Sequence, residues 1–189
     1  MSVLGEMNRN EREAFAEAVR SHAEKLYAMG WRSAAIHNES ERLMNGFYFV
    51  WHALSNIIVG NSNQAVLNRD EQHKLMSYMH DERRDVMSAL EKIGRLKRIN
   101  IPYDKESIHK GDLVIIEWKN QEGKLITRQT GFVDSQIDDK QVMLTGAVSP
   151  KALIGLSGPY LLTAYTQGRN VHVGRIQLNY NGILKIKEN

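Results

Sequence analysis

The strongest constraint on the fold lies near Pro102, where the spacing of the apolar residues changes. Upstream they recur three, four and seven residues apart, which places them along one face of a helix; downstream they alternate as strand residues do. A chain of 189 residues that changes period once is expected to hold a helical part and a β part. The expected class is α+β: an N-terminal antiparallel helical hairpin or bundle over residues 1–100, then a small antiparallel β domain over 101–189.

In the first part, Asn8 and Glu11 have the spacing of an N-cap and its reciprocal carboxylate. Phe15, Val19, Ala23 and Leu26 continue as one stripe, and Gly30 is a natural stop. A second helix is expected from Ser33 to Val59, because Ile36, Leu43, Phe47, Val50, Leu54 and Ile57 follow a coiled-coil seam. Phe47, Trp51 and Ile58 widen that seam beyond what one antiparallel partner needs, so they are candidate dimer contacts. After a turn at Gly60–Gln64, Asn68 and Glu71 repeat the capping spacing and open a third helix carrying Leu75, Met79, Val86, Leu90 and Ile93. The two long helices are expected to pair as an extended hairpin, with Asp70 and Glu71 near its tip.

In the second part, Lys110-Gly111-Asp112 launches Leu113–Trp118, a nearly continuous apolar strand expected to be covered on both faces. Gln121-Glu122-Gly123 turns it into a hairpin, and Gln167–Asn170 and Asn181-Gly182 mark further turns. One helical turn is expected at Lys151–Ile154.

Composition narrows the function classes. There are no cysteines, which removes disulfides, thiolate metal sites and Cys nucleophiles. The longest apolar candidate, Phe47–Val59, is interrupted by His52, Ser55 and Asn56, so no membrane span is expected, and an N-terminus with Glu6 and no apolar core does not read as a secretory signal. A cytoplasmic location is the simplest fit. Net charge is +3, a mixed surface, with one basic cluster: Arg83, Arg84, Lys92, Arg95, Lys97 and Arg98. Of these, Arg83, Arg84, Arg95, Lys97 and Arg98 are candidate phosphate contacts for a nucleic acid. His37 and Glu41 stand four apart and His73 and His80 seven apart, too few groups for a metal site. Asp134, Asp138 and Asp139 read as turn residues. No phosphate-binding glycine loop or nucleophile elbow occurs, and neither catalysis nor a cofactor is expected.

Ser149-Pro150-Lys151-Ala152-Leu153-Ile154-Gly155, followed by a strand, a glycine turn and a last strand, resembles a segment of the Gre family of bacterial transcript-cleavage factors. Gly111-Asp112-Leu113-Val114 is similar to the family's first C-terminal strand. The resemblance covers roughly residues 70–180. It implies a coiled coil preceding an FKBP-like domain and RNA polymerase as the large protein partner, with Asp70, Glu71, Ala152, Leu153, Ile154 and Gly155 as contacts. The family's acidic tip motif, Asp-x-x-Glu-Asn-Ala-Glu-Tyr, is absent, so the resemblance implies regulation rather than cleavage. The sequence thus predicts a non-enzymatic protein-binding regulator, with a nucleic-acid module or a dimeric structural or inhibitory protein as alternatives.

Overall fold

The computed structural model describes residues 2–59, 63–81, 85–99, 108–138, 140–148, 151–162 and 168–181. It begins with a strand, β1 (Ser2–Glu6), followed by α1 (Arg9–Ala28). Asn8 and Glu11 form the expected capping box: Asn8 Oδ1 accepts from Glu11 N at 2.9 Å and Glu11 Oε2 accepts from Asn8 N at 2.7 Å. Gly30, at φ 93°, ends the helical stretch. A parallel two-stranded ribbon follows, β2 (Arg32–Ser33) with β3 (Leu43–Met44). Then come three helices, α2 (Gly46–Asn56), α3 (Arg69–Ser77) and α4 (Val86–Lys92), and the strands β4 (Leu96–Ile99), β5 (Leu113–Lys119), β6 (Leu125–Gln136), β7 (Gln141–Val148), β8 (Leu153–Leu161) and β9 (Arg169–Asn181).

Seven of these strands make one antiparallel sheet in the order β1-β9-β5-β6-β7-β8, with β4 also on β9. This overturns the expected helical hairpin or bundle followed by a small β domain, FKBP-like or barrel. The first and fourth strands lie upstream of residue 100, and both pair with β9 near the C-terminus. Residues from both sides of residue 100 share one core, in which Phe15, Phe49, Leu54, Leu75 and Leu90 pack with Leu113, Phe132, Ile154 and Ile176.

The expected second helix fails for a local reason. Asn38 Oδ1 accepts from Glu41 N and from Ser40 Oγ, an Asx turn that competes with helix, and Arg42 sits at φ 54°. Helix resumes only where Asn45 caps α2 by accepting from Tyr48 N at 2.8 Å. The third expected helix is interrupted too: α3 ends at the cap residue Tyr78, and α4 begins where Asp85 accepts from Ser88 N. Its last turn closes at Gly94, φ 79°, as the cost of glycine within a helix predicts. Among the described residues no paired-helix limb forms. Asp70 lies on the exposed first turn of a nine-residue helix rather than at a hairpin tip.

The β5–β6 hairpin forms as expected, and Leu113 to Ile116 are all buried, odd-numbered residues against the helices and even-numbered ones on the opposite face. That opposite face has its own core, Val114, Ile116, Val133, Val142, Leu144, Val171 and Val173, joined by Ile108 and Leu162. Across β6, β7 and β8, Gly131, Gly146 and Gly155 stand side by side in register. A Cβ on Gly146 would meet Thr130 O at 2.2 Å, so the backbones approach where only glycine fits and the sheet can bend sharply. Of Lys151–Ile154, expected as one helical turn, Leu153 and Ile154 open β8 instead, and Ala152 at φ 49° makes the turn before it. Ile154 belongs to the core.

Candidate functional site

Aromatic rings and imidazoles converge where α1, the segment after it and α2 meet. Trp31 stacks on His37 with centroids 5.9 Å apart, and His37 lies over Tyr48 at 3.6 Å. Tyr48 neighbours Trp51 at 5.5 Å and His52 at 5.7 Å, and His52 faces His22 at 4.8 Å. The local causes are visible. Tyr48 and His52, four apart on α2, project from one face. Gly30 turns Trp31 back towards that helix, its N–H bonded to Leu26 O. The Asn38 turn delivers His37. Trp51 Nε1 donates to Gln72 O at 2.9 Å, which ties the cluster to α3.

Its electrostatics follow from burial. His22 Nε2 and His52 Nδ1 are 2.7 Å apart, a hydrogen bond in which one ring must be an unprotonated acceptor. Burial, then the neighbouring imidazole and Lys25, hold His22 down to about 4. Burial also lowers His52 and His37. Tyr48 is pushed up to about 12, by burial first and then by Glu39, whose Oε1 accepts from the phenol at 3.3 Å. The same oxygen is 3.8 Å from His37 Nε2. At neutral pH the site therefore holds uncharged imidazoles and the protonated phenol of the buried Tyr48, with Trp31 and Trp51 half-buried and the Glu39 carboxylate 74% exposed at its rim. Such a set suits stacking and the capture of a cation beside an apolar group. On the adjoining segment Tyr27, Met29 and Ile36 are exposed, Ile36 at 77%.

The residues singled out from the sequence fall elsewhere. Glu71 closes the α3 capping box and lies 3.1 Å from the buried Arg95. Ala152 O accepts from Ser33 N, linking the turn before β8 to β2; Leu153 is half-buried and Gly155 sits within the strand. Of the proposed phosphate contacts, Arg95 is 2% exposed, Arg98 pairs with Glu91 at 3.1 Å and Ser88 at 2.9 Å, and Lys97 is exposed 4.0 Å from Glu6. Arg83 and Arg84 lie outside the described residues, as do Pro102, Asp139 and Ser149-Pro150. Phe47 and Trp51 pack half-buried against the core, while Ile58 is 55% exposed. Glu41 is exposed and not part of the cluster around His37, and His73 and His80 are exposed as well. Among the described residues no three acidic or histidine side chains are placed to hold a metal ion, and no helix is long and apolar enough to cross a membrane.

The sequence offered one signal for this cluster, the four-residue spacing of Tyr48 and His52 on a capped helix. Their partners His22, Trp31 and His37 come from separate elements, which no spacing rule connects. Comparison of the chain with protein-family models, with curated proteins and with solved structures returned no match.

Proposed function

We propose that the chain is a non-enzymatic recognition protein that takes a partner protein on its aromatic–imidazole face. One observation carries this reading: Trp31 and His37, from the segment after α1, gather on Tyr48 and Trp51 of α2 beside the exposed Tyr27, Met29 and Ile36, with the Glu39 carboxylate at the rim. Interface centres are enriched in such aromatics, and an exposed apolar group beside a carboxylate favours a partner that presents an apolar side chain next to a basic one. The engagement of Arg95 and Arg98 by carboxylates makes the nucleic-acid reading a weaker second.

The test compares wild type with Ile36→Glu and Trp31→Ala as baits in the source cell extract, after circular dichroism has shown equal folding. A partner held by wild type and lost by both variants supports the reading. Equal capture by all three proteins removes it. Core RNA polymerase, the partner that the Gre resemblance implies, is the first defined protein to try.

A further inference from the structure

The chain has eight methionines, and the fold treats the seven among its described residues unequally. Met44 and Met87 are fully buried, and Met7 is 5% exposed. Met76, Met79 and Met143 are half-buried, the first two against the helix-side core. Met29 is 59% exposed. Its position explains the difference. Met29 is the C-cap of α1, and Gly30 at φ 93° turns the chain away before another helical turn can cover it. The backbone there is held on both sides: Met29 N donates to Lys25 O at 3.0 Å, and Arg42 Nη1 donates to Met29 O. The thioether therefore meets water on a fixed main chain.

We propose that Met29 is a site of reversible oxidation by a peroxide, which turns the exposed apolar end of α1 polar. One oxygen passes from the peroxide to Met29 Sδ: the O–O bond breaks and an S–O bond forms. The sulfur loses two electrons, and the departing hydroxide takes up the proton and leaves as water. The oxidant must reach the sulfur, so the buried methionines react only when the fold opens locally, whereas Met29 needs no opening. The product is a strong acceptor on the segment that also exposes Tyr27 and Ile36. A thiol-dependent sulfoxide reductase reverses the change. As a control on partner binding, the inference rests on the reading of the aromatic–imidazole face given above: an apolar partner group would have to strip water from the sulfoxide oxygen, and the complex would weaken.

The test treats the full-length chain with stepped doses of hydrogen peroxide and maps added oxygen by peptide mass spectrometry. Met29 should react about tenfold faster than any of the other six described methionines. At the dose that oxidises Met29 alone among them, the protein should elute earlier from a hydrophobic-interaction column, with its circular dichroism unchanged. Met29→Leu keeps an apolar side chain without the sulfur, so its retention should not move at that dose. A methionine sulfoxide reductase should restore the retention of wild type. The proposal is overturned by half-buried Met76, Met79 or Met143 reacting as fast as Met29, by an equal retention shift in Met29→Leu, or by a shift that comes with loss of helical signal. These measurements need no partner, so they separate the two readings. Oxidation at Met29 with a retention shift, together with equal capture by all three baits above, removes the partner reading and leaves the oxidation site standing. Capture that depends on Ile36 and Trp31, together with a Met29 that is not the first to react, does the reverse.

Discussion

Arg95 Nε, on the residue just before β4, lies 3.1 Å from Glu71 Oε2 on α3, with the arginine 2% and the glutamate side chain 17% exposed. Two residues that the sequence suggests for two different binding surfaces are thus one largely buried ion pair joining a helix to the sheet. Removing one partner of such a pair strands the other charge. Glu71→Leu, which also opens the α3 cap, should cost about 3 kcal/mol of unfolding free energy in urea. Asn68→Ala, which removes only the cap acceptor, should cost about 1 kcal/mol. Equal losses would mean that the ion pair contributes nothing beyond the cap.

Acid should loosen the aromatic face. His22, His52 and His37 have folded-state pKa values below the ordinary 6.5, His22 near 4. Between those values the unfolded chain binds more protons than the folded one, so stability falls as pH drops from about 6.5 towards 4 and is fully present above 6.5. Melting temperature measured at pH steps through this window should show that decline. In His22→Gln the decline should be shallower, because one depressed site is gone. An unchanged slope would show that carboxylates elsewhere dominate the acid response.

The glycine row separates close approach from mere position. An added Cβ at Gly146 meets backbone oxygen at 2.2 Å, whereas at Gly155 the nearest contact is a Leu153 methyl at 3.7 Å. Gly146→Ala should lose about 3 kcal/mol or fail to fold, and Gly155→Ala should stay within about 1 kcal/mol of wild type. Thermal denaturation of the two variants decides it; similar behaviour would remove the steric argument for the bend.

The link between α1 and the sheet rests partly on Arg20, whose Nε and Nη2 donate to the two oxygens of Asp134 at 2.8 and 2.5 Å. The Asp134 side chain is 3% exposed. Arg20→Leu leaves that carboxylate buried and unpaired and should cost about 2 kcal/mol, while Arg20→Leu/Asp134→Leu should regain part of the loss. A double variant as weak as the sum of the two singles would show that the pair is not coupled.

Much of the local structure was readable from residues close in the chain. The capping boxes at Asn8/Glu11 and Asn68/Glu71, the stop at Gly30, the strand Leu113–Trp118 covered on both faces and the hairpin after it follow from short-range hydrogen bonding, backbone sterics and side-chain alternation. Those forces act over a few residues, so a few residues suffice to infer them. The seam from Ile36 to Ile57 misled because its spacing counts apolar positions and not the Asn38 turn that breaks the helix between them. Apolar residues at helical spacing state that a surface needs covering, without stating what covers it.

Which element covers which was decided only in three dimensions. Pairing of β1 and β4 with β9 joins residues that lie far apart along the chain, and His22 meets His52 across 30 positions. Sheet register and ring contacts of this kind depend on the summed burial of the whole core, a quantity that no single stretch of sequence carries. The amino-acid order by itself determined the two capping boxes, the stop at Gly30 and the two faces of Leu113–Ile116; the tertiary structure alone decided that the two halves share one sheet and one core, because only there do their apolar faces find each other.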